Sequence, residues 1–138
     1  MPSLVRFGVS LEKDLLVKFD SRLKDKGYTN CSEGIRDIIR EDLVRKEWQE
    51  GKQVTGAITL VYDHHKRQLL NRLMDIQHDY HDNILSTQHI HLDHNNCLEI
   101  IVVKGAPRDI EFLYGKLKSG KGVKHAGFAM ATTGKAVP

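Results

Sequence analysis

The chain changes its hydrophobic rhythm twice. "LVRFGVS" at 4–10 alternates, with Val5, Phe7 and Val9 on one side and Arg6, Gly8 and Ser10 on the other, the period of a half-buried strand. Ser10 is placed to cap a helix whose first turn holds Glu12 and Asp14, where the macrodipole favours negative charge. Leu15 or Leu16, Phe19 and Leu23 give that helix one apolar stripe, and Gly27 is placed to end it. Asn30, with Glu33 three residues on, predicts a second helix start, and Ile35, Ile38, Ile39, Leu43 and Trp48 its buried face. A lone strand and two helices leave both strand edges unpaired and little core. A second copy is therefore expected to pair strand with strand through Val5, Phe7 and Val9.

Residues 49–55, "QEGKQVT", are polar and read as a linker. Beyond it "GAITLVYD" predicts a strand, and "HKRQLLNRLMDIQHDY" a helix with Leu69, Leu73, Ile76 and Tyr80 on one side. Two strands around a turn follow over 87–105. "PRDIEFLYGKLKS" then predicts a helix with Pro107 near its start, and "VKHAGFAMAT" a last strand. The order is βαββαβ, the ferredoxin-like arrangement with two helices on one face of a sheet. The expected fold class is α+β, with a strand–helix–helix domain at 1–48, a linker at 49–55 and a βαββαβ domain at 56–138.

The net charge of +3 falls entirely after residue 50, because residues 1–50 hold ten basic and ten acidic side chains. Nucleic-acid binding by the first domain must then rest on local geometry, not on a basic surface. No stretch resembles a signal peptide or a membrane span, so the cytoplasm is expected and no membrane partner. There, with only Cys31 and Cys97 present, a lone cysteine beside histidines suggests a metal more than a disulfide. Five of the eight histidines fall between His78 and His94.

In "TQHIHLDHNNCLEIIVV", Ile90 and Leu92 alternate with His89 and His91, while Leu98, Ile100 and Val102 alternate with Cys97, Glu99 and Ile101. If Ile90, Leu92, Leu98, Ile100 and Val102 face one core, the loop must have odd length, and Asp93–His94–Asn95 supplies it. The register then sets His91 opposite Cys97 and His89 opposite Glu99, on the face away from the core. Opposed Cβ atoms lie about 5 Å apart, so one ion can reach His89, His91 and Cys97. A single histidine in this setting would be polar decoration on a solvated sheet. A His-x-His pair in register with a cysteine favours a metal. His94, in the turn, is expected to be solvated. His78 and His81, near a helix end, could each complete a four-ligand set. Imidazole and thiolate suit Zn, Cu and Ni alike; donors on a flat strand favour a square plane for Ni(II) or Cu(II) without excluding tetrahedral Zn. Four protein ligands leave no position for substrate, which argues against an enzyme. Glu99 is placed to accept a hydrogen bond from a ligand imidazole.

"GYTNCSEGIRDIIR" resembles the ribbon-helix-helix DNA-binding fold, and "QHDYHDNILSTQHIHLDHNNCLEIIVVKG" resembles the metal-binding core of NikR, the nickel-responsive transcription regulators of bacteria and archaea. Together the resemblances cover nearly the whole chain. They imply an ACT-like second domain and a homotetramer built as a dimer of dimers. They also imply one Ni(II) per subunit, held in a plane by His89, His91 and Cys97 of one chain and His78 of another, with repression of nickel-uptake genes as the output. By the same resemblance Arg6, Gly8 and Ser10 enter the major groove of operator DNA, and Glu33 with Asp37 hold a second cation between the domains. Two positions depart from the family: Gly8, where relatives often carry a polar side chain, and Cys31, where they often carry Arg. Asn30, Ser32 and the amides of that helix start are still placed to hold a phosphate. The main alternative is a metal storage or delivery protein without a DNA role; an amino-acid-sensing ACT-like domain is a weaker one.

Overall fold

A computed structural model describes residues 3–138. The chain divides into two compact units, one ending at Arg40 and the other running Glu41–Pro138.

In the first unit, residues 3–12 form neither helix nor strand, so the strand expected at 4–10 is not formed within the single chain. Val5, Phe7 and Val9 are exposed there. Helix α1 spans Lys13–Asp25, with Glu12 at its N-cap and the first helical bond from the Leu16 amide to the Glu12 carbonyl at 3.1 Å. Ser10 therefore lies outside the helix and caps nothing, contrary to the expectation from its position. Gly27 takes a positive φ of 83° just beyond the end of α1. Its amide reaches the Lys24 carbonyl (3.0 Å) and the Tyr28 amide the Leu23 carbonyl (3.0 Å), the paired bonds of a Schellman ending. Helix α2 spans Cys31–Gln49, and the Asn30 side chain accepts from the Glu33 amide at 2.9 Å, the expected cap. Leu23 packs against the site of Gly34, whereas Ile38 and Ile39 stay about half exposed within one chain.

The second unit opens with the last turns of α2. Trp48 is buried edge-on against Phe128, its indole donates to the Ala131 carbonyl (3.0 Å), and Glu47 accepts from the Thr132 hydroxyl (2.8 Å). Residues 49–55 hold the end of α2, a turn and the first two residues of β1. The elements then run β1 (Val54–Asp63), α3 (Arg67–Asp79), a single 3-10 turn (His81–Asn83), β2 (Ile84–His91), β3 (Asn96–Gly105), α4 (Pro107–Lys118) and β4 (Val123–Ala131). The sheet order is β2-β3-β1-β4, every neighbour antiparallel, which realises the expected βαββαβ arrangement.

Val54, Ile58, Leu60 and Tyr62 of β1 and Cys97, Glu99, Ile101 and Val103 of β3 are buried on one face. Leu69, Leu73 and Ile76 of α3 and Ile110, Leu113 and Leu117 of α4 complete this core. This reverses the expected facing: Cys97 and Glu99 point to the core, while Leu98, Ile100 and Val102 lie on the partly exposed face. The cause is that β3 is apolar on both faces, so alternation alone does not choose between them. The two helices choose.

Gly56 sits where β1 meets β4, and a Cβ there would stand 2.7 Å from the Ala129 carbonyl oxygen, a backbone atom that cannot swing aside. Gly56→Ala should therefore destabilise the fold by about 1–3 kcal/mol, the usual cost of overpacking. Gly115→Ala, in open space on α4, should stabilise by about 0.5–1 kcal/mol. Urea denaturation of both variants checks the pair; equal effects would mean the close approach of β1 and β4 is not as described.

Candidate metal centre

The β2–β3 hairpin is closed by the three-residue loop Asp93–His94–Asn95, with the Leu92 amide on the Asn96 carbonyl at 2.9 Å. The Asp93 carboxylate organises the loop. It accepts from the Asn95 amide (2.9 Å), the Asn96 amide (2.8 Å) and the Asn96 side chain (3.1 and 3.0 Å). The resulting register is the expected one: His89 stands opposite Glu99 and His91 opposite Cys97.

Within that frame His89 Nδ1 lies 3.9 Å from Cys97 Sγ, and His89 Nε2 lies 3.5 Å from Glu99 Oε1. Metal–imidazole and metal–thiolate bonds run about 2.0–2.3 Å, so a nitrogen and a sulfur at this separation can share one ion. The two ring nitrogens then have separate tasks. Nδ1 faces the thiol, while Nε2 faces the Glu99 carboxylate. Cys97 is buried, and β3 pairs it with Tyr62 on its other side.

His91 meets a group that the alternation pattern did not reveal. His64, just after β1, sets its ring edge-on to His91 with centroids 4.9 Å apart, and anchors itself by donating from its backbone amide to the Asn95 carbonyl (3.1 Å) and from Nε2 to the His94 carbonyl (2.8 Å). His78 occupies the last turn of α3 and His81 the following 3-10 turn, their rings stacked with centroids 6.0 Å apart. His81 Nδ1–H donates to the His78 carbonyl (2.9 Å), and its other nitrogen lies 3.2 Å from Asp82. Among the described residues, no group of three or more His, Cys, Asp or Glu side chains in one chain is arranged to hold a metal ion.

Sequence reasoning also missed Tyr62 and Gln77. Tyr62 donates to Glu99 Oε2 and Gln77 to Glu99 Oε1, each at 2.7 Å. Burial, then the hydrogen bond to Glu99 and the charge it carries, push the Tyr62 phenol far above its ordinary range, so it stays a donor. Gln77 follows Leu73 by four positions on the buried stripe of α3, a signal present in the sequence. Tyr62 carries no such signal, because nothing in the pattern gives the β1–β3 register.

In the first unit, Arg6, Gly8 and Ser10 are exposed, and no atom lies within 4 Å of a Cβ built on Gly8. The Asn30 side chain is engaged as the α2 cap and Ser32 is exposed. Of the acidic pair, Asp37 accepts from the Tyr28 hydroxyl (2.5 Å) and from Arg40 (3.2 Å), contacts that lower its pKa; Glu33 is exposed one turn earlier.

The second unit is a βαββαβ sheet whose histidine-bearing β2 is paired in register with a strand that carries a buried cysteine. The family model for the NikR C terminal nickel binding domain matches residues 55–131. A relative from Syntrophus aciditrophicus that is named as a nickel-responsive regulator is 57% identical over 135 residues, covering 98% of each chain. Another, of Chlorobium limicola, is 52% identical over 134 residues, covering 97% of this chain and all of the relative. Among solved structures, uncharacterized protein TM1266 from Thermotoga maritima superposes with a TM-score of 0.54 at 18% identity. It covers 59% of this chain and 100% of its own, a likeness of fold alone. The chain belongs to the NikR family of nickel-responsive regulators, and regulators, not enzymes, are what that family contains.

The contacts from Asn96 and Asn95 hold the Asp93 pKa down to about 2. The folded value lies below the ordinary carboxylate value of about 3.9, so the turn's contribution is complete above that pH and lost as pH falls through the folded value. A carboxyl-carbon NMR titration should place the Asp93 midpoint near 2; a midpoint near 3.9 would show that the turn does not persist in solution.

Proposed function

We propose that this protein is a nickel-gated repressor that binds operator DNA and switches off nickel-uptake genes in the cytoplasm. The observation that carries the proposal is the approach of His89 Nδ1 to Cys97 Sγ at 3.9 Å, in a register that also brings His91 opposite Cys97. In this reading His89, His91 and Cys97 of one chain and His78 of another hold one Ni(II) per subunit. If held by these four residues, Ni(II) would supply the bonds that join the two chains. Glu99 holds His89 in the tautomer that leaves Nδ1 for the ion.

Assembly follows from what one chain leaves uncovered. Exposed Val5, Phe7 and Val9, with half-exposed Ile38 and Ile39, suit a second copy in a ribbon-helix-helix dimer over 1–48. Two such dimers joined through the 56–138 domains make the homotetramer. Arg6, Gly8 and Ser10 then face base edges, Arg6 being able to bond guanine at two points. Asn30, Ser32 and the first amides of α2 meet phosphate. Glu33 and Asp37 hold a second cation where the domains meet on DNA. Nickel selects the arrangement of ribbon dimers that matches two half-sites only by binding that arrangement more tightly, typically by about 1–3 kcal/mol.

The test is a mobility-shift selection from genomic fragments at fixed salt, with metal-free protein, one equivalent of Ni(II), or one of Zn(II). Selective retention of a few fragments with nickel alone is expected. No selective retention under any condition would favour metal storage or delivery, a reading that the balanced charge of residues 1–50 leaves open. Cys97→Ala should abolish tight nickel binding in an equilibrium titration; wild-type affinity would overturn the ligand assignment. Binding by the native protein should also weaken at acid pH, since the thiol must give up its proton.

A further inference from the structure

The composition of 49–55 is that of a free linker, yet the segment is held at both ends. Helix α2 runs to Gln49 and β1 starts at Val54, so only 50–53 lie between them, with Gly51 turning the chain at a φ of 71°. On the helix side, Trp48 Nε1 donates to the Ala131 carbonyl at 3.0 Å, and its ring packs edge-on to Phe128. Glu47, 7% exposed, accepts from the Thr132 hydroxyl at 2.8 Å, and that hydroxyl accepts from the Gly134 amide at 3.1 Å. On the sheet side, Ala131 is also the β4 residue that stands opposite Thr55 of β1. Ala131 thus anchors the chain both before and after the segment, which closes into a loop.

Packing alone does not account for this. Trp48 and Val44, one turn earlier, already join the end of α2 to the core. A carboxylate placed as deeply as that of Glu47 costs stability that an apolar side chain would not. What Glu47 adds is direction. Its bond to Thr132 forms only when the helix end lies against β4 at one rotation and one height. Neighbouring helix residues hold neighbouring residues of the strand end, so the two bonds form and break together. When they break, the free stretch lengthens on its helix side from 50–53 to 45–53.

We propose that Glu47, Trp48 and Thr132 form a clasp that sets the reach of the linker: closed, it keeps the segment a fixed loop, and open, it turns the segment into a swivel. This rests on the reading given above, in which ribbon dimers tethered to the metal-binding domains engage two half-sites. A second ribbon dimer then meets its half-site at an effective concentration set by the tether, and a longer tether lowers that concentration. The clasp acts on paired half-sites; contacts with one half-site, and the metal centre, do not depend on it.

The experiment uses the full chain as wild type, Thr132→Val, which removes one hydroxyl at equal volume, and Trp48→Phe, which keeps an aromatic ring and removes the N–H. Amide hydrogen exchange is measured over 44–55. Mobility shifts with Ni(II) use a genomic fragment retained by the wild type, and the same fragment with one half-site scrambled. Exchange across 44–49 should quicken about tenfold in Thr132→Val, the scale of one lost hydrogen bond to a charged group. Affinity for the intact fragment should fall about 3–10-fold, since doubling a tether alone costs about threefold. Affinity for the scrambled fragment and for nickel should stay at the wild-type value. Should Trp48→Phe fail to fold, Thr132→Val decides the matter by itself. Wild-type exchange over 44–49 would overturn the clasp. Faster exchange with an unchanged or raised affinity for the intact fragment, or with an equal loss on both fragments, would overturn its control of reach. If the wild type retains no fragment at all, the regulator reading fails instead, and exchange over 44–49 still decides whether the clasp exists.

Discussion

Strand β3 is gripped on both sides, by β2 in one register and by β1 in another, and every feature of the candidate centre depends on both alignments at once. The β2 pairing puts His91 opposite Cys97 and His89 opposite Glu99. The β1 pairing puts Tyr62 opposite Cys97 and Leu60 opposite Glu99. Because side chains alternate with period two, a slip of one residue in either ladder would turn Cys97 and Glu99 to the other face. The Asp93 turn locks the first ladder. In the second, the buried run from Val54 to Tyr62 holds one face of β1 against α3 and α4, where a slipped strand would bury Thr59 and expose Leu60.

The sheet does more than display donors. The helices cover Cys97 and Glu99, so the thiol and the carboxylate are withdrawn from water while His89 stays about half exposed at the edge strand. A donor set built across that gradient has a dry side that fixes geometry and a wet side through which an ion can enter. Among the described residues, no group of three or more His, Cys, Asp or Glu side chains in one chain is arranged to hold an ion.

Much of this was legible in the sequence, for reasons that differ by element. Helices α3 and α4 announce themselves by single apolar stripes, and the β2–β3 register by an odd loop between two alternating runs. The facing of that hairpin was not legible. Ile101 and Val103 compete with Leu98, Ile100 and Val102 for the core, and only packed helices decide. The cap of α1 moved from Ser10 to Glu12, since any of several polar residues can precede a helix and the backbone bond to Leu16 selects one. Residues 4–10 read as a strand in sequence but form none in the single chain, where no segment pairs with them. Tyr62 escaped because Glu99, to which it donates, lies 37 positions away, across a register that no local pattern encodes.

The end of α2 has a consequence of another kind. Trp48 is the chain's one tryptophan, and it is packed edge-on to Phe128 with its indole bonded to the Ala131 carbonyl. Its fluorescence therefore comes from a single known place, the junction of the last helical turn with the closing strand. A shielded, hydrogen-bonded indole emits to the blue of one in water, so the emission wavelength reads out whether that junction is closed. The protein carries, without any label, an optical probe of its own helix-to-sheet seam.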